Sequence, residues 1–257
     1  MDWITSTKIP VGRTAKLVFD WLNLHAAAFF NALSTGMQAL IDGILWLLLT
    51  PPPLVIVAIF VAVAFAIQRN WKAPLIVLVG FLFVMNQGYW QATMESLTLV
   101  LSACVVCMAI GVPVGVFLAH RPRLYAWVAP VLDLMQTLPT FVYLIPAIVF
   151  FGIGMVPGLI ATVIFVLPAP IRLTYLGISS TPSALTEAAT AFGATPRQKL
   201  WKVELPYATP QIMAGLNQTI MLSLSMVVVA ALVGASGDGA GHLLVITGAP
   251  VDRQPAI

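Results

Sequence analysis

The sequence carries little charge for its length, with twelve basic and nine acidic residues in 257. A soluble domain of this size needs far more charged side chains to cover its surface. Hydrophobic residues instead make up 60% of the chain, and long apolar runs recur along it. Backbone groups in lipid must be satisfied within each segment, and the runs do not alternate as β-barrel strands do. We therefore predict an all-α, polytopic membrane protein.

The signatures of several enzyme classes are also missing. No G-x-x-x-x-G-K-[ST] occurs, which excludes a Walker A loop for ATP. His25, His120 and His242 are far apart and form no H-E-x-x-H, and no G-x-S-x-G is present. We predict no catalytic residue, no metal site and no cofactor. The net charge of +3 is small and scattered, so a nucleic-acid partner is not expected.

Only two cysteines occur, Cys104 and Cys107, and both lie inside an apolar run, which is typical of packing residues. The same run contains Gly111 and Gly115 at GxxxG spacing. Small residues at this spacing allow two helices to approach closely. We expect a helix contact within the chain, and a contact between two copies is the alternative.

Proline and hydrophobicity divide the chain into three parts. Residues 1–52 form an external N-terminal tail, in which an amphipathic helix with Leu17, Trp21 and Leu24 on one face lies in the membrane interface. Residues 53–236 form the membrane domain, and residues 237–257 an atypical C-terminal tail too short to span a bilayer. The domain has about six spans, near 53–67, 73–87, 94–118, 138–152, 158–177 and 208–233, with a further helical piece at 124–137 broken off near Pro139.

Lysine and arginine predict the orientation of these spans. One set of connections holds eight of the twelve basic residues, and the opposite set, near 88–93 and 152–157, holds none. The basic set should face the cytoplasm. Counting back through the spans places the N-terminus outside.

The longest of these cytoplasmic connections, residues 178–207, has the start and stop signals of two short helices. Thr181 can cap a first helix with Pro182 at its first position, and Gly193 can end it in the left-handed conformation.

Thr195, Pro196 and Gln198 can begin a second helix with a capping box, and that helix ends before Pro206. We predict a compact pair of helices. An ordinary helical hairpin on the membrane surface is the alternative.

This connection resembles the "EAA" loop of ABC importer permeases. The matching positions are Glu187, Ala188, Ala189, Gly193, Leu205 and Pro206. The neighbouring runs "LDLMQTLPTFVYLIPA" and "IMAGLNQTIMLSLSMVV" are similar to the permease subunit of glycine betaine/L-proline importers, the quaternary-amine uptake family. The resemblance covers about residues 50–236.

The resemblance implies a type I ABC importer permease fold and a homodimer in the cell inner membrane. A separate cytoplasmic ATPase would bind the loop and hydrolyse ATP, and an extracytoplasmic binding protein would deliver glycine betaine, proline betaine, choline or a related compatible solute. The chain itself would not be an enzyme. The alternatives are a permease for another small solute such as an amino acid, a secondary transporter or channel, and a truncated permease that does not transport.

Polar residues inside the predicted spans are candidates for the translocation path. Polar groups at membrane depth usually face protein or water. Hydrogen bonding between helices is the alternative role. The candidates are Gln136, Tyr143, Asn217 and Gln218.

Overall fold

A computed structural model describes the backbone of residues 11–152 and 154–234, and the side chains of 27–152 and 154–228. This part of the chain is helical and contains no strand. A five-residue π-helical turn, Leu200–Glu204, connects the last two helices. The helices are α1 Val11–Leu49, α2 Pro53–Gln68, α3 Lys72–Asn86, α4 Trp90–Ala119, α5 Pro122–Thr137, α6 Phe141–Phe151, α7 Met155–Val166, α8 Pro168–Ser179, α9 Ser183–Ala191, α10 Pro196–Lys199 and α11 Leu205–Gly234. The prediction of an all-α membrane protein is confirmed.

The sequence predicted about six membrane spans, and fewer of the described helices are long and apolar enough to cross a membrane. Four helical segments of the described residues are long and apolar enough to cross a membrane, and a fifth is reached if the bent pair α5–α6 counts as one span. Helices α2 and α3 have 16 and 15 residues, short of the roughly 20 that a span needs. The predicted count of six is therefore not confirmed.

The interfacial position predicted for the first helix stays a prediction. Its second half, Ala27–Leu49, is itself a candidate span, whereas the sequence favoured a helix lying in the interface. The reason is composition, because Asp42 is the one charged residue in this half. The proposed apolar face of Leu17, Trp21 and Leu24 lies outside the residues whose side chains are described, and the tail 237–257 lies outside the described chain altogether.

Helices α7 and α8 form the centre of the structure. Together they make one 25-residue segment, and 72% of its most apolar stretch of 18 residues is buried inside the structure. Leu159, Ala161 and Val166 have no exposed surface, and Pro168 begins α8. Proline is tolerated there because the first residues of a helix have no intrahelical partner for an N–H group.

Helix α4 approaches α8 so closely that only glycine fits. A Cβ atom built on Gly115 would lie 2.6 Å from Cβ of Thr174 and 2.7 Å from the carbonyl oxygen of Ile171. One built on Gly111 would lie 2.7 Å from Cγ of Pro170. These distances confirm the predicted helix contact within the chain.

On another side of α8, Gly177 gives the same kind of approach to α11. A Cβ atom on Gly177 would lie 2.9 Å from Cβ of Ala208. Helix α8 is thus held between α4 and α11 by close backbone contacts.

Helices α5 and α6 meet at a bend of 87°. The break covers residues 138–140, where the sequence predicted it at Pro139. Stacked rings of Tyr125 and Tyr175, with centroids 3.5 Å apart, join α5 to α8. An ion pair between Asp133 and Arg172 joins the same two helices. The bend is therefore built on a helix that is firmly attached to the centre.

The close approach at Gly115 predicts a large effect of a single methyl group. Gly115→Ala should destabilise the protein by about 1–3 kcal/mol, because the new Cβ atom meets a backbone oxygen that cannot move aside. Gly80→Ala in α3 is the matched control, since no atom lies within 4 Å of its added Cβ. The measurement is the unfolding temperature of each purified variant in detergent. Equal temperatures for the two variants would contradict this packing.

Candidate functional site

One end of the helical core carries the connection singled out in the sequence. We call residues 183–204, which comprise α9, α10 and the π-helical turn, the knob. An apolar cluster attaches it to the ends of α4, α8 and α11. Its buried members are Ile178, Ala208 and Ile212, and Leu200 of the knob and Leu205 of α11 pack against them. The knob is therefore seated on three helices of the core.

The first helix of the knob ends in a Schellman motif. The N–H of Gly193 donates to the Thr190 carbonyl at 2.9 Å, and the N–H of Ala194 donates to the Ala189 carbonyl at 3.0 Å. Gly193 has φ +79°, and no atom lies within 4 Å of an added Cβ. The conformation predicted for this glycine is confirmed, and backbone geometry rather than crowding requires glycine here.

The second helix begins as predicted. The Thr195 hydroxyl accepts a hydrogen bond from the Gln198 N–H, and the Gln198 side chain accepts one from the Thr195 N–H at 2.8 Å. This is a complete capping box, followed by Pro196 at the start of the helix.

The cap predicted for the first helix is wrong. Thr181 does not cap it: the Thr181 hydroxyl is buried without a hydrogen-bond partner, and the Thr181 N–H donates to the Ile178 carbonyl, which continues the last turn of α8. Pro182 occupies the cap position instead, with no side-chain cap hydrogen bond.

The chain also passes through Pro206 without ending a helix, contrary to prediction. The N–H of Leu205 donates to the Leu200 carbonyl, five residues back, which widens the helix just before the proline. A proline ring normally clashes with the carbonyl four residues earlier. The wider turn relieves that clash, so α10, the π-helical turn and α11 form one path from Pro196 to Val228.

Most motif residues lie on the accessible surface of the knob. Glu187, Ala188, Gly193 and Pro206 are exposed, and Ala189 is half-buried. Leu205 instead packs into the apolar cluster beneath. The motif therefore divides into residues offered to solvent and one residue that anchors the knob.

A shallow groove of about 400 Å³ runs along this surface, lined by Thr186, Glu187, Thr190, Ala191 and Lys199. Two large apolar side chains also stand out from the knob, Phe192 with 92% of its surface exposed and Trp201 with 65%. The knob thus exposes apolar side chains as well as charged groups.

Sequence reasoning missed a buried ion pair beneath the knob. Glu204 in the π-helical turn is 5% exposed and is the one charged residue that is buried among those whose side chains are described. Its Oε2 lies 2.9 Å from Nε2 of His120, which follows the last residue of α4. Lys199 Nζ lies 4.0 Å from the other carboxylate oxygen. The sequence signal was a glutamate set between the apolar Val203 and Leu205, and its partner lies 84 positions away.

The four candidates for a translocation path do not form one group. The Tyr143 hydroxyl donates across the bend to the carbonyls of Leu134 and Met135, at 3.3 and 3.2 Å. Its ring packs near Met226 of α11. Asn217 and Gln218 are exposed on α11, and Gln218 is about 12 Å along the helix from Met226. Gln136 is half-buried near the end of α5. Tyr143 therefore has a structural partner that the sequence did not indicate.

The described residues hold no group of three or more metal-ligating side chains. Cys104 and Cys107 are both buried with free thiols, and Sγ of Cys107 lies 3.8 Å from the carbonyl oxygen of Val163. Both act in packing, as their apolar surroundings predicted.

Comparison with known proteins gives one consistent family. Residues 111–253 match the model described as "Binding-protein-dependent transport system inner membrane component". The chain is 45% identical over 232 residues to the glycine betaine transport system permease protein of Bacillus subtilis, covering 90% of this chain and 82% of the relative. It is 45% identical over 214 residues to the glycine betaine/carnitine transport permease protein of Listeria monocytogenes, covering 82% and 76%.

A third relative is the glycine betaine/proline betaine transport system permease protein of Escherichia coli, 42% identical over 239 residues, which covers 93% of this chain and 67% of the relative. The residues that match the family model include the knob, α8, α11 and the last part of α4. The chain is therefore a member of the family of inner membrane components of binding-protein-dependent transport systems, a membrane permease.

Proposed function

We propose that this permease is the membrane subunit of an ATP-driven importer for glycine betaine or a related compatible solute, such as proline betaine, carnitine or choline. The observation that carries the proposal is the knob, a preformed pair of helices with the spacing of the EAA loop. The solute class rests on the relatives at 42–45% identity, whose names refer to glycine betaine. The chain itself is a transport subunit and not an enzyme.

The knob is the docking element for a separate cytoplasmic ATPase. Its two helices are fixed by their own caps, so a partner meets a surface that is already ordered. Phe192 and Trp201 supply exposed apolar area, and the groove beside Glu187 carries both a carboxylate and the Lys199 ammonium. Movement of the ATPase then reaches the membrane through the path that continues into α11.

The complete importer contains two copies of this chain, together with an extracytoplasmic binding protein that delivers the solute. The translocation path runs between the copies, and its polar lining includes Gln136, Asn217 and Gln218. Tyr143 contributes by holding the bend between α5 and α6, next to α11. Amide groups suit a zwitterion because they offer dipoles without a fixed charge.

The knob faces the cytoplasm, and an N-terminus that faces outward requires in addition that α1 lies in the interface and does not cross the membrane. The positive-inside rule supports this orientation, since Arg121, Arg123, Lys199 and Lys202 lie at the knob end. In a variant with Cys104 and Cys107 replaced by alanine, Arg123→Cys should resist an impermeant thiol reagent in intact cells, and Gln87→Cys should react. Labelling of position 123 before the cells are opened would show that the knob end faces outward.

The solute prediction is tested with the complete importer. In proteoliposomes containing this chain, the ATPase and the binding protein, labelled glycine betaine should accumulate only when ATP is supplied. Excess unlabelled proline betaine or choline should compete, and proteinogenic amino acids should not. Competition by an amino acid alone would redirect the solute assignment, and accumulation driven by an ion gradient without ATP would exclude the importer mechanism.

The docking role of the knob is tested at Gly193. Gly193→Val should be strained by roughly 1–2 kcal/mol, because a β-branched residue is disfavoured at positive φ. We expect normal membrane insertion but weaker co-purification of the ATPase. Gly193→Asn is the matched control, since asparagine tolerates this conformation better and adds similar bulk. Equal retention of the ATPase by wild type and the valine variant would show that Gly193 is not needed for docking.

A further inference from the structure

The contact between Glu204 and His120 has a defined arrangement of protons. Nδ1 of His120 lies 2.9 Å from the Val116 carbonyl, which can only accept, so Nδ1 carries a hydrogen. Nε2 faces the Glu204 carboxylate at 2.9 Å. One proton between Nε2 and the carboxylate completes a hydrogen bond that joins the end of α4 to the π-helical turn.

The charges around this pair come from three elements. Lys199 of α10 lies 4.0 Å from Glu204 Oε1 and adds a positive group. Arg121, the neighbour of His120, is turned away, with its Cζ 4.3 Å from the centroid of the Phe117 ring. His120 is half exposed, whereas the Glu204 side chain is 7% exposed. Separating the pair would therefore leave a carboxylate with little access to water.

The position of the pair is as important as its strength. Glu204 is the last residue of the π-helical turn, where the knob becomes α11. His120 lies at the end of α4, the helix that packs against α8 through Gly111 and Gly115. The covalent chain connects the knob only to α8 and α11, through residues 180–182 and 205. The ion pair connects it to α4 as well.

A hydrogen bond between two side chains can pass a displacement from one helix to another, whereas apolar contacts let the helices slide past each other. The cluster below the knob contains Val112, Val116 and Leu200, whose aliphatic surfaces can slide past one another. The hydrogen bond at its edge is directional, and breaking it leaves the Glu204 carboxylate with Lys199, at 4.0 Å, as its remaining charged neighbour. A displaced knob therefore moves α4 with it or loses this hydrogen bond.

We propose that Glu204 and His120 form a latch that passes the movement of the knob to α4, so that α4 and α11 respond together to the ATPase. This role rests on the proposed function of the knob. Both are positioning residues, because each is proposed to act through the helix that carries it. The latch is distinct from Glu187, Ala188 and Gly193 of the EAA pattern, which are exposed.

The test separates docking from transmission in the reconstituted importer. Three quantities are measured for each variant: retention of the ATPase, the unfolding temperature, and solute moved per ATP hydrolysed in the presence of loaded binding protein. Glu204→Gln keeps the shape of the side chain and removes its charge. We expect ATPase retention and unfolding temperature close to wild type, with transport per ATP lowered by about threefold to tenfold.

Companion variants identify the pair as the cause. His120→Ala should have the same effect, and the double variant should be no worse than either single one, because both remove the same interaction. His120→Arg should restore transport, since arginine keeps a positive donor facing the carboxylate. Lys202→Gln, an exposed charge on the same turn, is the matched control and should behave as wild type.

The results separate the latch from the function on which it rests. Failure of the wild-type chain to retain the ATPase would overturn the proposed function itself. Normal retention with unchanged transport per ATP in Glu204→Gln and His120→Ala would overturn the latch alone. If Glu204→Gln does not insert, the comparison of His120→Ala with His120→Arg decides, and equal transport by those two would overturn the latch.

Discussion

The close contact between α4 and α8 is the constraint on which the rest of the structure depends. Lipid gives two helices no hydrophobic reason to associate, so van der Waals contact over a long interface must hold them together. Gly111 and Gly115 allow that contact by bringing α4 against Pro170 and Thr174. Once α8 is fixed, α11 is fixed on its other side through Gly177. The ends of these three helices then form the seat of the knob.

The knob follows a different principle, because local hydrogen bonds determine its shape. A Schellman motif closes α9 and a capping box opens α10, and each uses residues within a few positions of one another. Interactions of such short range can be read from sequence, as Gly193, Thr195 and Gln198 demonstrate. The same locality lets the knob keep its form while its surface is free for a partner.

Predictions failed where distant residues or neighbouring elements decide the outcome. Thr181 had the right residue type for a cap, but its hydroxyl is buried without a hydrogen-bond partner and its backbone belongs to the last turn of α8. Pro206 had the right type for a helix end, but the π-helical turn before it accommodated the ring. The pairing of Glu204 with His120 spans 84 positions, and only the packing of α4 beside the knob makes it visible. The long hydrophobic runs were predicted as spans, and the interfacial position of α1 stays a prediction beside the candidate span Ala27–Leu49.

The exposed ring of Phe192 has a consequence for assembly. The Phe192 side chain leaves 92% of its surface exposed, whereas large apolar side chains are usually buried in a fully assembled protein. If the ATPase docks on the knob as proposed, a permease made without it would leave this ring uncovered, and uncovered apolar side chains are a feature by which proteases and chaperones recognise unassembled subunits. Docking would then hide the ring, so its exposure would mark a permease that has not been assembled.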